Sequence, residues 1–126
     1  MRRNGPLHEL SIAQSIVEIV EQNLPANGSP RVRSIRLKVG ELAGVVVDSL
    51  EFCFAAITSG TRLDGATLDV DRIPLMVVCR TCHQTFRVEQ FVFLCPTCGR
   101  GDVEVVSGRE LQVSEIELAE ESQEQV

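Results

Sequence analysis

The sequence predicts an α+β fold: two helices packed on a small mixed β-sheet, with a four-cysteine module inserted before the last strand. Three observations carry this expectation. Two segments place apolar residues at helical spacing, and other segments alternate apolar with polar residues at strand period. Between them stands a C-x2-C-x12-C-x2-C array, Cys79, Cys82, Cys95 and Cys98.

The first helix is expected to start at Ser11-Ile12-Ala13-Gln14, which has the form of a capping box with Gln14 reaching back to the Ser11 amide. Ile12, Ile16, Ile19, Val20 and Leu24 then recur at helical spacing, with Gln14, Glu18, Glu21 and Gln22 on the other face. Pro25 and the run Ala26-Asn27-Gly28-Ser29-Pro30 end it. In the strand that follows, Ile35, Leu37 and Val39 point one way and Ser34, Arg36 and Lys38 the other. Asp48 and Glu51 are spaced to cap a second helix with the buried stripe Leu50, Cys53, Phe54 and Ile57, and Gly60 is its C-terminal glycine. Leu68 and Val70 alternate with Thr67, Asp69 and Asp71 in a second strand.

Leu75 to Val78 is apolar and runs into Cys79, Phe86 and Val88 alternate with Thr85 and Arg87, and Phe91 to Leu94 leads back into Cys95. Both CxxC knuckles are thus expected where strands turn, which is a zinc-ribbon arrangement. A last core strand falls within 109–118, where the apolar parity changes between Val113 and Ile116 and suggests a bulge or twist. The expected organisation is a flexible leader at 1–7, an α/β core of 8–74 and 107–118, a zinc-binding module at 75–106 and an acidic disordered tail at 119–126.

The 126 residues suit one domain of ordinary size. No stretch is long and apolar enough for a membrane span, and no apolar segment follows Met1-Arg2-Arg3, so a cytoplasmic protein is expected. In that compartment a CxxC pair is a metal or redox motif rather than a structural disulfide. The net charge of −6 is uneven: residues 1–74 hold eight Lys/Arg against nine Asp/Glu, and 75–126 hold four against nine. An acidic cysteine-bearing half argues against binding nucleic acid, which needs a basic surface to displace counterions from phosphates.

Four thiolates from two knuckles make the all-sulfur tetrahedral set that Zn2+ prefers, a closed set that builds structure and performs no chemistry. Rubredoxin-type iron uses the same spacing but usually comes with a dense aromatic core, and this chain has no Trp and no Tyr. Cys79-Arg80-Thr81-Cys82-His83 also matches a haem-attachment pattern, but that chemistry needs export and would leave the second CxxC unexplained. His83 is expected to stay exposed beside the knuckle. Cys53 lies on the apolar stripe of the second helix and reads as a small core hydrophobe.

His8-Glu9 is the other feature with ligand chemistry. On residue type alone it is either a solvated pair near a terminus or part of a nitrogen-rich set. An imidazole with neighbouring backbone amides suits Ni(II) or Cu(II) in square-planar geometry.

Taken together, Leu7-His8-Glu9-Leu10-Ser11-Ile12, Val39-Gly40-Glu41-Leu42, Cys79-x2-Cys82, Cys95-Pro96-x-Cys98-Gly99 and Ser107-Gly108-Arg109-Glu110-Leu111 occur in an order that resembles the HypA/HybF family over residues 7 to 118. Members are nickel metallochaperones of [NiFe]-hydrogenase maturation. The resemblance implies Zn2+ at Cys79, Cys82, Cys95 and Cys98, and transported Ni2+ at His8 and its backbone nitrogens, with Glu9 as an oxygen ligand or just behind one. It further implies a non-enzyme, monomer or homodimer, that docks a HypB-type GTPase and supplies the hydrogenase large subunit and, in some members, urease. A zinc-ribbon interaction module with no nickel role is the alternative.

Two departures stand out. Family members begin Met-His-Glu, whereas six residues precede Leu7 here. Either the α-amine lies six residues ahead of the family position and leaves the site, or the native chain starts at Leu7. The position six after Gly40, often a carboxylate in relatives, is Val46.

Overall fold

The computed structural model describes residues 5–25 and 30–119. In chain order the elements are α1 (Gly5–Gln22), β1 (Val32–Gly40), a 3-10 turn (Glu41–Ala43), α2 (Val47–Thr58), β2 (Thr67–Ile73), β3 (Met76–Cys79), β4 (Thr85–Arg87), β5 (Val103–Ser107) and β6 (Leu111–Leu118). The strands form two three-stranded sheets, ordered β2-β1-β6 and β4-β3-β5. Two helices, small sheets and a four-cysteine module make up the expected α+β class. The chain divides into two compact units, one of residues 1–37, 45–70 and 113–126, the other of 38–44 and 71–112. Of the expected leader at 1–7, residues 5–7 are the start of α1; residues 1–4, the Ala26–Ser29 run and the acidic tail from 120 onward lie outside the described residues.

In the first unit α1 and α2 pack against each other. The inner stripe of α1 is Glu9, Ala13, Ile16 and Val20, at steps of four, three and four, while Ile19 is 41% exposed. The helix starts at Gly5 and not at the capping box, so Ser11 sits exposed in mid-helix. A local cap pattern sets no boundary when upstream residues extend the helical ladder. Its end is closed by Asn23, whose side-chain amide donates to the Ile19 carbonyl at 2.7 Å. Helix α2 buries Leu50, Cys53, Phe54 and Thr58, with Ile57 half-buried. Thr58 fits this apolar face because its hydroxyl donates to the Phe54 carbonyl at 2.7 Å. Gly60, at φ +81°, ends the helix as expected.

The start of α2 differs from the expectation. Asp48 lies inside the first turn, and the N-cap is Val46, a residue with no capping side chain. From Ser34 to Val39 strand β1 alternates as read, with Ile35, Leu37 and Val39 buried and Arg36 and Lys38 exposed; Val32 is buried outside that alternation. In β6 the half-buried positions are Val113 and Ile116, three apart, so its inward parity does change.

The second unit is organised around Leu75, Val77 and Val88, with Leu42, Phe86, Phe93, Val103 and Val105 packed on them. Strand β3 pairs antiparallel with β4 (Val77 opposite Phe86) and with β5 (Val77 opposite Val105). Strand β5 was not anticipated, and Phe91 to Leu94 is irregular chain where a strand was expected. The Val39-Gly40-Glu41-Leu42 and Ser107–Leu111 segments meet here. Gly40 N–H donates to the Glu110 carbonyl and Leu42 N–H to the Gly108 carbonyl, both at 2.7 Å. The contact is so close that a Cβ on Gly40 would lie 2.0 Å from the Gly108 oxygen. Glu41 adds a second clasp, with one carboxylate oxygen accepting the Leu75 amide at 2.9 Å and the other accepting from the Arg87 guanidinium. Those two partners hold its carboxyl below the usual range, the Leu75 amide contributing most.

Candidate metal sites

The second unit carries the four cysteines. Strand period delivers the first of them: Val77 and Cys79 are buried at alternate positions of β3, in line with Leu75 just ahead of it. Beyond Cys79 the two knuckles repeat one geometry. His83 N–H donates to the Cys79 carbonyl at 2.7 Å, and Gly99 N–H to the Cys95 carbonyl at 2.8 Å. Cys79 N–H donates to the Gln84 carbonyl and Cys95 N–H to the Arg100 carbonyl, at 2.9 and 2.8 Å.

Each knuckle turns at a left-handed residue, Gly99 at φ +78° and His83 at φ +66°. Histidine is among the side chains that tolerate this region best, which accounts for His83 where the second knuckle has glycine. His83 is exposed, as read. The first knuckle is tied to the chain beyond the second: Arg80 N–H donates to the Asp102 carbonyl, and the Arg80 guanidinium to the Asp102 carboxylate, both at 2.9 Å.

These turns place all four Sγ atoms within 4.8 Å of one another. Cys79 and Cys98 sulfurs are 3.6 Å apart, and Cys82 and Cys95 sulfurs 3.5 Å. A tetrahedron with metal–sulfur bonds of about 2.3 Å has an edge of about 3.8 Å, so the set fits a tetrahedral thiolate ion. Backbone amides prepare the charge it needs. The Cys82 amide, aided by that of Thr81, holds the Cys79 thiol down at about 6 against the opposing effect of burial. Cys95 is lowered in the same way, first by the Cys98 amide. The Gln84 amide lowers Cys82, but burial and the three neighbouring thiols outweigh it and push the group up to about 11. Cys98 is also raised: the Arg100 amide and the Cys82 thiol lower it, but burial and the Cys79 and Cys95 thiols outweigh them. Two sulfurs thus favour the thiolate, and the other two need a cation to release their protons.

The first unit carries His8 and Glu9 near the start of α1. They sit side by side, with His8 Nδ1 3.6 Å from Glu9 Oε2. Their exposures differ sharply: the His8 side chain is 47% exposed and that of Glu9 1%. Glu9 lies on the inner stripe of α1, and its Oε2 accepts the Val46 amide at 2.8 Å. Its Oε1 is buried with no hydrogen-bond partner among the described residues. A buried carboxylate oxygen left in that state carries a desolvation cost that a cation would offset. The donor set, one imidazole nitrogen and one carboxylate oxygen, fits a borderline divalent ion.

The missing cap of α2 is explained by the same contact. Glu9 reaches across 37 positions of sequence to accept the amide of the N-cap residue itself, the bond that an N3 Glu makes in a local capping box. Reading residues in sequence missed this role of Glu9 and the part of the Val46 amide. Only the resemblance had marked position 46. Cys53 is 9% exposed on the α2 stripe, as expected of a core thiol.

The model of the family described as "Hydrogenase/urease nickel incorporation, metallochaperone, hypA" matches residues 7–118. The hydrogenase maturation factor HypA of Geotalea uraniireducens is 46% identical over 112 residues, covering 89% of this chain and 99% of the relative. That of a Roseiflexus species is 40% identical over 119 residues, covering 94% and 97%. Among solved structures, the Ni metallochaperone HypA from Helicobacter pylori superposes with a TM-score of 0.60 at 17% identity, over 90% of this chain and 98% of that one. At that identity the likeness speaks for the fold alone.

Proposed function

The chain belongs to the HypA family of nickel-incorporation metallochaperones, which are accessory proteins and not enzymes, and from this we propose that it carries Ni(II) at His8 and Glu9 to the large subunit of a [NiFe]-hydrogenase. The observation that carries the nickel site is the pairing of a half-exposed imidazole with a buried carboxylate that has one unpartnered oxygen. Transfer between proteins needs a ligand set that an incoming acceptor can reach, and His8 offers that. The four-cysteine set is closed and takes the other task, holding Zn2+ for structure at Cys79, Cys82, Cys95 and Cys98.

Backbone geometry supports a nitrogen-rich nickel set. A helix beginning at Gly5 leaves the amides of its first turn, that of Leu7 among them, outside the hydrogen-bond ladder. Nickel can recruit backbone nitrogen there without unwinding α1. The imidazole supplies an exposed nitrogen, and Glu9 a charge held in place behind it.

In this reading the protein works in the cytoplasm, as a monomer or homodimer. A HypB-type GTPase is its partner before the large subunit, and urease is a second recipient where one is present. The test is nickel titration of zinc-loaded protein, parent against His8→Ala. One nickel per chain in the parent, weakened at least about tenfold in the variant, is expected, about 1.4 kcal/mol or more. Equal affinity rejects the site. A zinc-ribbon docking module without a nickel role would be indifferent to His8.

A further inference from the structure

The two carboxylate oxygens of Glu9 stand in different surroundings. Oε2 accepts the Val46 amide and so supplies the N-terminal cap of α2, where the cap residue itself has no capping side chain. Oε1 is buried and has no hydrogen-bond partner among the described residues. We propose that Glu9 is a positioning residue that couples nickel loading to helix α2: the carboxylate that caps the helix is the one the cation engages, so loading stabilises the first turn of α2. The inference rests on the nickel reading of His8 and Glu9.

The reasoning is thermodynamic. Opening the cap at Val46 requires the Glu9 carboxylate to swing away or α2 to fray from it. If Ni(II) binds the carboxylate only where the capped state places it, beside His8, then opening also releases the metal. A ligand that binds one of two states stabilises that state by the factor 1 + [L]/Kd. At nickel about ten times above Kd, opening of the cap becomes about tenfold rarer. Linkage is reciprocal, so a partner that pries open the start of α2 lowers nickel affinity by the factor by which nickel lowers that partner's own affinity. That is the property a donor needs at the moment of hand-over.

Several features make α2 a suitable reporter. Val46 is 52% exposed and Phe52, within the helix, 76% exposed, so the segment downstream of the cap is open to a partner. The first bond of the helix ladder, Leu50 N–H to the Val46 carbonyl at 3.0 Å, starts at the residue Glu9 holds.

The experiment is hydrogen–deuterium exchange of the segment 45–50 in zinc-loaded full-length protein, with and without Ni(II) at about ten times Kd. Two variants accompany the parent. In Glu9→Gln the side-chain carbonyl can still accept the Val46 amide, while the carboxylate charge is gone. His8→Ala removes the imidazole. The expected result is exchange slowed by up to about tenfold in the parent. No slowing is expected in Glu9→Gln, even at nickel concentrations that saturate what remains of its site. Nickel bound by the parent with exchange of 45–50 unchanged overturns the coupling and leaves the nickel reading intact. Equal slowing in Glu9→Gln also overturns it, since the effect then bypasses the carboxylate. A parent that binds no nickel overturns the functional reading itself, and the coupling falls with it.

Discussion

Replacing Gly40 with alanine tests the clasp that joins the two glycine-bearing segments of the second unit. Gly40 has an extended backbone, φ −76° and ψ 151°, which any residue adopts without strain. Its requirement for glycine is therefore one of space. A Cβ there would lie 2.0 Å from the Gly108 oxygen, 2.1 Å from the Gly108 carbonyl carbon and 2.6 Å from the Arg109 nitrogen. All three are backbone atoms, so no side-chain rotation gives way. The strands must part by more than an ångström, which strains or breaks the Gly40–Glu110 and Leu42–Gly108 hydrogen bonds, both 2.7 Å. Two such bonds contribute about 1 kcal/mol each, and overpacking adds about 1–3 kcal/mol, for a total of about 3–5 kcal/mol. With a urea slope near 1.5 kcal/mol/M, the unfolding midpoint should fall by roughly 2–3 M. The assay is urea unfolding at fixed zinc, with Gly44→Ala as control. Gly44 has a left-handed φ of +72° and open space around it, so only the conformational cost of about 1 kcal/mol is expected there. A Gly40→Ala protein no less stable than Gly44→Ala would refute the steric argument.

Two further outcomes are expected. The Glu41 carboxyl is lowered in the folded state, chiefly by the Leu75 amide and also by Arg87, against the cost of burial. Its contribution is therefore present above the unfolded carboxylate value of about 4.3 and is lost as pH falls through the folded value. The stability gap between parent and Glu41→Gln, both with all four cysteines, should be constant near neutrality and close below about pH 4; a gap unchanged down to pH 3 would count against the clasp. If the four cysteines hold zinc as proposed, chelation, or replacing Cys98 with alanine, should loosen the second unit, since such sites contribute on the order of 10 kcal/mol. Amide exchange over 76–107 would then rise by several orders of magnitude while that of α1 and α2 changes little. Unchanged protection in the second unit would mean that the metal does not support it.

Much of the fold was legible because its signals are local. The alternation of Ile35, Leu37 and Val39 and the helical spacing of Leu50, Cys53 and Phe54 report burial directly, since each period is a property of the element itself. Local signals misled where a distant residue supplied what they lacked. Ser11 looked like a helix start, yet the ladder extends upstream to Gly5. Asp48 looked like the cap of α2, but a carboxylate 37 positions away takes the amide of Val46. Strand β5 was missed because Val103-Glu-Val-Val-Ser is short and gains its identity from pairing with β3.

The sequence by itself determined the four-thiol site and the family. Two CxxC pairs bring their own chelating turns, and the order of the motifs survives any detail of packing. The tertiary structure alone decided what Glu9 does. Nothing near it in sequence says that one oxygen caps α2 and the other is buried without a partner, because both facts depend on where Val46 comes to rest. It also decided why both Gly40 and Gly108 need to be glycine: a Cβ on Gly40 would run into the Gly108 carbonyl, and a Cβ on Gly108, itself at φ +118°, would run into Leu75.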